Sequence, residues 1–418
     1  MSVLPYSYSF RTPRSAMYFI ILFATVVQVL AHDAPVQIDS LPISANFKPL
    51  KGGSTLVDRD RARFWSLFTR HEKRAQSVGL KNTAVSQLAL SIECDVKELA
   101  PGALHVERCM WQIFIDSWVI DELLIDTGSA YTWIGAAKKY VETKTSIRQT
   151  NQSFYAAYGS GSAVGAHYKD QVTLSPSLVI SNKSFGVASS TDGVDGSFDG
   201  ILGLGPTGLG KNVVTPNNGK PVPTIMDALL AQKKIEHNMF GISFTPTKSR
   251  GTIDGELTFG GYNAQKLTGK LNWYGNQTLQ SSSTGVVDTG TTLIYITPKA
   301  FKVYSESLPG SKIDQSTKLL EIPKDSVGKM KSLFFVINGI PYEFTPNAQL
   351  WPRTLNTALG GKADAYYSVI SPLSDFEADT GSSFINGYAF LERFYSAYDA
   401  SKSMIGFATT SSTTAEIN

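Results

Sequence analysis

Cysteine is nearly missing from this chain: of 418 residues only Cys94 and Cys109 are cysteines. Two thiols exclude a disulfide-built scaffold and give no support to a cysteine-ligated metal centre or a Cys/His catalytic pair. They can close one disulfide in an oxidising compartment or remain two free thiols. Charge is scarce too, at 17% of residues against 42% hydrophobic, and the net charge is only +3. That is the balance of a folded globular chain, and it argues against nucleic-acid binding. Beyond residue 31 no hydrophobic run is long enough to read as a membrane span. The tail "GFATTSSTTAEIN" lacks the apolar end of a lipid-anchor signal.

What is present sorts into a leader and a body. Arg11 and Arg14 precede "AMYFIILFATVVQVLA", an apolar run of signal-peptide length ending in Ala31. A signal anchor is the other reading, but the run is short for a span. Through Lys81 the chain carries eleven Lys and Arg against five Asp and Glu, so the remainder is net acidic. Within that basic stretch "VDRDRARFWSLFTRHEKRAQSVG" places Phe64, Leu67, Phe68 and Ala75 at helical spacing. It reads either as a solvated amphipathic helix or as a basic prosegment covering an acidic cleft. The expected division is a signal peptide over 1–31, a propeptide over 32–83, a first lobe over 84–272 and a second over 273–418. Three glycosylation acceptors, Asn151, Asn182 and Asn276, fit a secretory route to the cell exterior or a vacuole.

From about Asn82 short apolar or alternating runs are separated by Gly, Ser, Asn and Pro, the pattern of many strands and few helices. "PTIMDALLAQKKI" is the clearest helix of the body, and "GPTGLGKNVVTPNNGKPVP" before it is a surface loop by composition. Each half holds an apolar strand, an Asp-Thr-Gly turn and another apolar strand. Each half then ends on a Gly behind an apolar run, "FDGILGLG" in the first and "FINGYAFLERF" in the second. The expected fold is mainly β, built from a duplicated lobe.

Asp-Thr-Gly occurs three times, at Asp126, Asp288 and Asp379. Two carboxyl groups held face to face cannot both ionise cheaply, so one keeps a proton while the other is charged. The charged one can take a proton from water and the neutral one can hydrogen-bond the oxygen under attack. Thr127, Thr289 and the glycines Gly128 and Gly290 make tight turns whose N–H groups aim at the carboxylate. Ser129 and Thr291 can each add a hydroxyl. The third copy fails on context: "SDFEA" before Asp379 is charged and broken, unlike the apolar strands before the other two. It reads as an exposed turn.

These motifs, in this order, resemble the pepsin-type aspartic endopeptidases, and more narrowly the secreted polyporopepsin-like proteases of basidiomycete fungi. "LLIDTGSAYTWIGA" resembles the first active-site motif, with Trp133 seven residues after the Asp. "AAYGSGSAVG" resembles the flap, "VVDTGTTLIYITP" the second motif, and "FINGYAFLERFYSAYDASKSMIGFA" the closing segment of the second lobe. The resemblance covers roughly Ile120 to Ala408. It implies a bilobal pepsin-like fold with the cleft between the lobes and Asp126 with Asp288 as the dyad. It also implies Gly128 and Gly290 beside substrate, a flap of Tyr158, Gly159 and Ser160, and a Tyr158–Trp133 hydrogen bond. His167, near the flap, reads as a surface residue. The implied partners are extended polypeptide substrates, pepstatin-like inhibitors and the chain's own propeptide; no feature calls for a metal, a cofactor or an oligomer.

Two stretches depart from the pattern. "HVERCMWQIFIDSWVIDELLIDTGS" has no Gly-x-Pro-like hairpin turn before Asp126, and "WYGNQTLQSSSTGVVDTG" is short before Asp288. They leave a second reading open, a catalytically impaired pepsin-like binding or inhibitor protein.

Overall fold

The computed structural model describes residues 39–45, 55–62, 110–115, 118–158, 161–192, 198–217, 219–246, 252–274, 284–337, 339–373 and 382–417. Residues 1–38, the stretch 63–109 with both cysteines, Gly159, Ser160, Asn276 and Asp379 lie outside that set.

The strand-rich expectation holds. In the first lobe Ile147–Tyr158, Gly161–Thr173 and Val179–Asp192 form an antiparallel meander. Period-two alternation is visible at Phe154 and Ala156, which are buried, around the exposed Tyr155. The strand Trp118–Asp126 runs parallel to Gly200–Gly203, with Asp126 opposite Gly203. Gly200 is required there, because a Cβ would stand 1.9 Å from the Trp133 carbonyl oxygen. The helix Ile225–Ala231 forms where the sequence places it. Thr224 and Asp227 close a capping box at its start.

The second lobe repeats the plan. Thr284–Val287 runs parallel to Ser382–Asn386, which also pairs antiparallel with Ile294–Ile296. The larger sheet that holds the first meander continues into this half: Met239–Phe244 pairs antiparallel with Thr252–Phe259 and with Phe394–Asp399, which pairs in turn with Met404–Thr409. Its interior is aromatic: the Phe390 ring centre lies 4.7 Å from that of Phe394 and 5.5 Å from that of Phe407.

Two findings differ from the sequence expectations. Met110–Ile115 pairs antiparallel with Trp118–Asp126 from Ile115↔Trp118 back to Met110↔Leu124, so a hairpin leads into Asp126 without the missing turn motif. The leader also contributes regular structure to the body. Asp39–Ala45 pairs with Thr252–Phe259, and Ile43 fills the space opposite Gly255, where a Cβ would lie 2.4 Å away from it. Residues 56–62 form a helix that begins before the stretch whose spacing suggested one. Its start is capped by Thr55, which accepts the Asp58 N–H at 3.2 Å and donates both its own N–H and its hydroxyl to the Asp58 carboxylate. Leu56 and Val57 are buried in the same core as Ile43.

Candidate active site

Asp126 ends its strand with no solvent exposure. Its Oδ1 accepts the N–H of Gly128 at 2.7 Å and of Ser129 at 3.1 Å, and its Oδ2 accepts the Ser129 hydroxyl at 2.7 Å. The backbone behind is fixed by the end of the parallel strand: Leu204 N–H donates to Asp126 O and Gly205 N–H to Ser129 O. A tight Asp-Thr-Gly turn can converge these donors on one carboxylate because Gly128 carries no side chain to block the approach.

Asp288, equally buried, sits in a matching cradle. Gly290 N–H donates to Oδ1 at 3.0 Å and the Thr291 hydroxyl to Oδ2 at 2.6 Å. Here the backing comes from Asn386 O, which accepts the Asp288 N–H, and from Tyr388 and Ala389, whose N–H groups donate to Thr291 O and Thr292 O. Thr127 Oγ1 and Thr289 Oγ1 are hydrogen-bonded to each other at 3.1 Å. That single bond, between residues adjacent to each Asp, ties the two loops face to face.

The hairpin of Ile147–Tyr158 and Gly161–Thr173 carries the residues expected to form a flap. Tyr158 pairs with Gly161 at the described end of the hairpin. Its hydroxyl accepts the Trp133 indole N–H at 2.7 Å. Trp133 is fully buried, with Phe154 and Phe198 packed against it. Gly159 and Ser160, which complete the predicted flap, and Asp379 lie outside the described residues. Asn151 and Asn182 are exposed and adopt positive φ, 65° and 51°, a conformation asparagine takes more readily than most residues.

His167 is not a surface residue. It is 5% exposed, and its Nδ1 lies 2.7 Å from the Tyr131 hydroxyl on the loop following Asp126. Burial first, then the charges of Lys183 and Lys169, push its pKa down to about 4. The sequence misleads because the Gly161–Thr173 strand shifts register between Val164 and Gly165, and His167 and Tyr168 are buried in succession.

Sequence reasoning also missed Asp60. This leader residue is buried, and its carboxylate accepts the N–H of Thr292 at 3.1 Å and of Leu293 at 3.0 Å, just beyond the Asp288 turn. Nothing in "VDRDRARF" separates it from its solvated-looking neighbours.

Comparison with known proteins bears on this geometry. A family model described as eukaryotic aspartyl protease matches residues 121–410. Polyporopepsin from Irpex lacteus is 44% identical over 317 residues, covering 71% of this chain and 92% of that protein. Cathepsin E from Rattus norvegicus is 27% identical over 319 residues, 68% of this chain and 75% of that one. The crystal structure of the aspartic proteinase from Irpex lacteus matches with a TM-score of 0.68 at 41% identity, covering 74% of this chain and 96% of that chain.

Proposed function

This chain belongs to the eukaryotic aspartyl protease family, and on that premise we propose that Asp126 and Asp288 are its catalytic pair. It is an aspartic-type endopeptidase of the pepsin family acting on polypeptides. The observation that carries the residue assignment is the Thr127–Thr289 bond between two cradles of the same design. Two carboxyl groups in one site share a proton, a rule for which aspartic-protease dyads are themselves the standard example. The ionised member takes a proton from a water molecule as its oxygen attacks the scissile carbonyl carbon. The protonated member gives its proton to the carbonyl oxygen. The gem-diol then collapses: a hydroxyl proton returns to the newly ionised carboxylate, the C–N bond breaks, and the nitrogen leaves with the proton first taken from water.

The remaining parts have definite tasks in this reading. Gly128 and Gly290 leave room for an extended substrate beside the carboxylates. Tyr158, tethered to Trp133, closes over the bound chain, and Gly159 and Ser160 share in binding it. Thr127, Ser129, Thr289 and Thr291 keep both loops in register, because a small misplacement of reacting groups is expensive in rate. The chain is exported as a zymogen: 1–31 is the signal, 32–83 the propeptide, and 84–272 and 273–418 the two lobes. Its basic stretch pairs with the ionised cleft at neutral pH and lets go as carboxylates protonate. No helix among the described residues is long and apolar enough to cross a membrane. Glycosylation at Asn151, Asn182 and Asn276 belongs to the same route.

The test is hydrolysis of a denatured protein at acidic pH with and without pepstatin. Pepstatin-sensitive cleavage is expected. A correctly folded but inactive product would instead favour the binding-protein reading.

A further inference from the structure

We propose that the cavity between the Gly161–Thr173 strand and the loop over residues 210–223 is a binding site for a small polycarboxylate anion, with His167, Lys169 and Lys220 as its donors. None of the residues that hold Asp126 or Asp288 lines it, so the proposal stands apart from the catalytic assignment. The cavity is open and has a volume of about 560 Å³, a size that suits a small organic ligand. His167 and Lys169 lie two residues apart on one strand, so alternation sends both side chains to the face that lines it. The loop contributes Lys220 from a second element, with Pro216 and Val222 as apolar wall. Among the described residues no acidic side chain lines the cavity.

The walls are pinned by the protein's own bonds. Lys183 Nζ donates to Ser184 O at 2.7 Å and to Pro223 O at 2.8 Å, joining the Val179–Asp192 strand to the end of the loop. Val214 pairs with Phe154, and the Tyr155 N–H donates to Val213 O at 2.9 Å, which fixes the middle of the loop to the hairpin. A site held in this way loses little to ordering when a ligand enters.

The chemistry of His167 points to the ligand. Its Nδ1 lies 2.7 Å from the Tyr131 hydroxyl, which has no other hydrogen-bond partner. Burial keeps that phenol protonated, so the hydroxyl donates to Nδ1. A neutral imidazole that accepts at Nδ1 carries its own proton on Nε2. No hydrogen bond uses that Nε2, although the residue is buried. An oriented N–H donor is thus left over on a side chain that lines the cavity, and it calls for an acceptor. Lys169 likewise makes no ion pair among the described residues. A further cation is close by: Lys183 is buried, and burial lowers its pKa from 10.5 to about 7 against the opposing pull of Asp227. Lys183 and Lys169 both oppose protonation of His167. Cationic groups gathered on a wall without acids leave a positive field that an anion neutralises. Two lysines on separate elements fit more than one carboxylate, and the apolar wall fits the short carbon body between them.

The experiment is a calorimetric titration of citrate into the full chain at pH 5, in a buffer free of carboxylates. Histidine ring spectra of nitrogen-labelled protein are recorded in parallel. Saturable binding with a Kd of about 1 mM or tighter is expected. Citrate should also shift the Nε2 resonance of His167, assigned through its loss in His167→Gln. That variant should bind citrate about tenfold more weakly, and Lys169→Ala and Lys220→Ala each about threefold or more, as the loss of charge-assisted hydrogen bonds requires. Sorbitol, neutral and of similar size, should leave both the heat and the His167 resonance unchanged. Citrate binding that none of the three substitutions weakens would mark an adventitious ion only and overturn the proposal. The absence of saturable binding, or sorbitol binding as well as citrate, would overturn it too. Should His167→Gln fail to fold, Lys169→Ala and Lys220→Ala decide, since both side chains reach solvent.

Discussion

The Asp126 and Asp288 loops are near copies in their turns and unlike in their supports. Around Asp126 the turn is backed by the parallel strand of its own lobe, through Leu204 and Gly205, and flanked by Trp133 tethered to the flap. Around Asp288 it is backed by Tyr388 and Ala389 and, from outside the lobe, by Asp60 of the leader. The proposed chemistry needs the same carboxylate geometry twice, and the turns are repeated. The supports need only hold each turn still, so they are free to differ.

That contrast can be broken at several levels. Asp126→Asn and Asp288→Asn should each reduce kcat by about 10²–10⁴-fold, since neither carboxyl can do both proton transfers alone. Unequal losses in kcat/KM would show that one loop dominates. Gly205→Ala and Gly387→Ala come next. A Cβ would stand 2.4 Å from Thr127 O in the first case and 2.3 Å from Thr291 O in the second. Overpacking of this kind costs about 1–3 kcal/mol, so both variants should melt early and lose activity together. Ser129→Ala and Thr291→Val each remove a hydroxyl bond to a buried carboxylate, about 1.5–3 kcal/mol for a charged acceptor. Each should cost tenfold or more in kcat, with little change in KM.

The smaller effect is one of sign. The first loop leans on a buried base and the second on a buried acid. His167 falls from 6.5 to about 4 in the folded chain, so the unfolded chain binds more protons between those values and stability drops as pH falls through them. Asp60 rises from 3.8 to about 7, so its contribution grows over nearly the same fall in pH. At ~1.4 kcal/mol per pKa unit the effects are on the order of 3–5 kcal/mol, the Asp60 one the larger. Melting curves from pH 7 to pH 4 should therefore show His167→Gln losing less stability than wild type on acidification and Asp60→Asn losing more. Identical pH slopes in all three proteins would dissolve the contrast.

What is local in the chain is legible in its sequence. An apolar strand, Asp-Thr-Gly, a hydroxyl and a second apolar strand are contiguous, so the residues themselves spell out both cradles. The helix at Ile225–Ala231 is legible through its capping residues. Asp60 is not, because its burial depends on Thr292 and Leu293, more than two hundred residues away, while its neighbours are arginines that suit solvent. His167 is hidden by a register shift that alternation cannot foresee. The hairpin before Asp126 lacks the usual turn residues, yet pairing of the strands themselves is sufficient to form it. The strand at Asp39–Ala45 is concealed for a related reason. Its pairing partner, Thr252–Phe259, is remote, and the leader's basic composition masks a short alternating run.

One assay tests the central claim most directly: acid proteolysis by wild type, Asp288→Asn and Asp379→Asn, measured side by side as kcat/KM. Asp288 and Asp379 head the same Asp-Thr-Gly tripeptide, so only their settings can separate them. The account predicts that Asp288→Asn is essentially inactive and that Asp379→Asn stays close to wild type. Substantial activity in Asp288→Asn, or a large loss in Asp379→Asn, would contradict it.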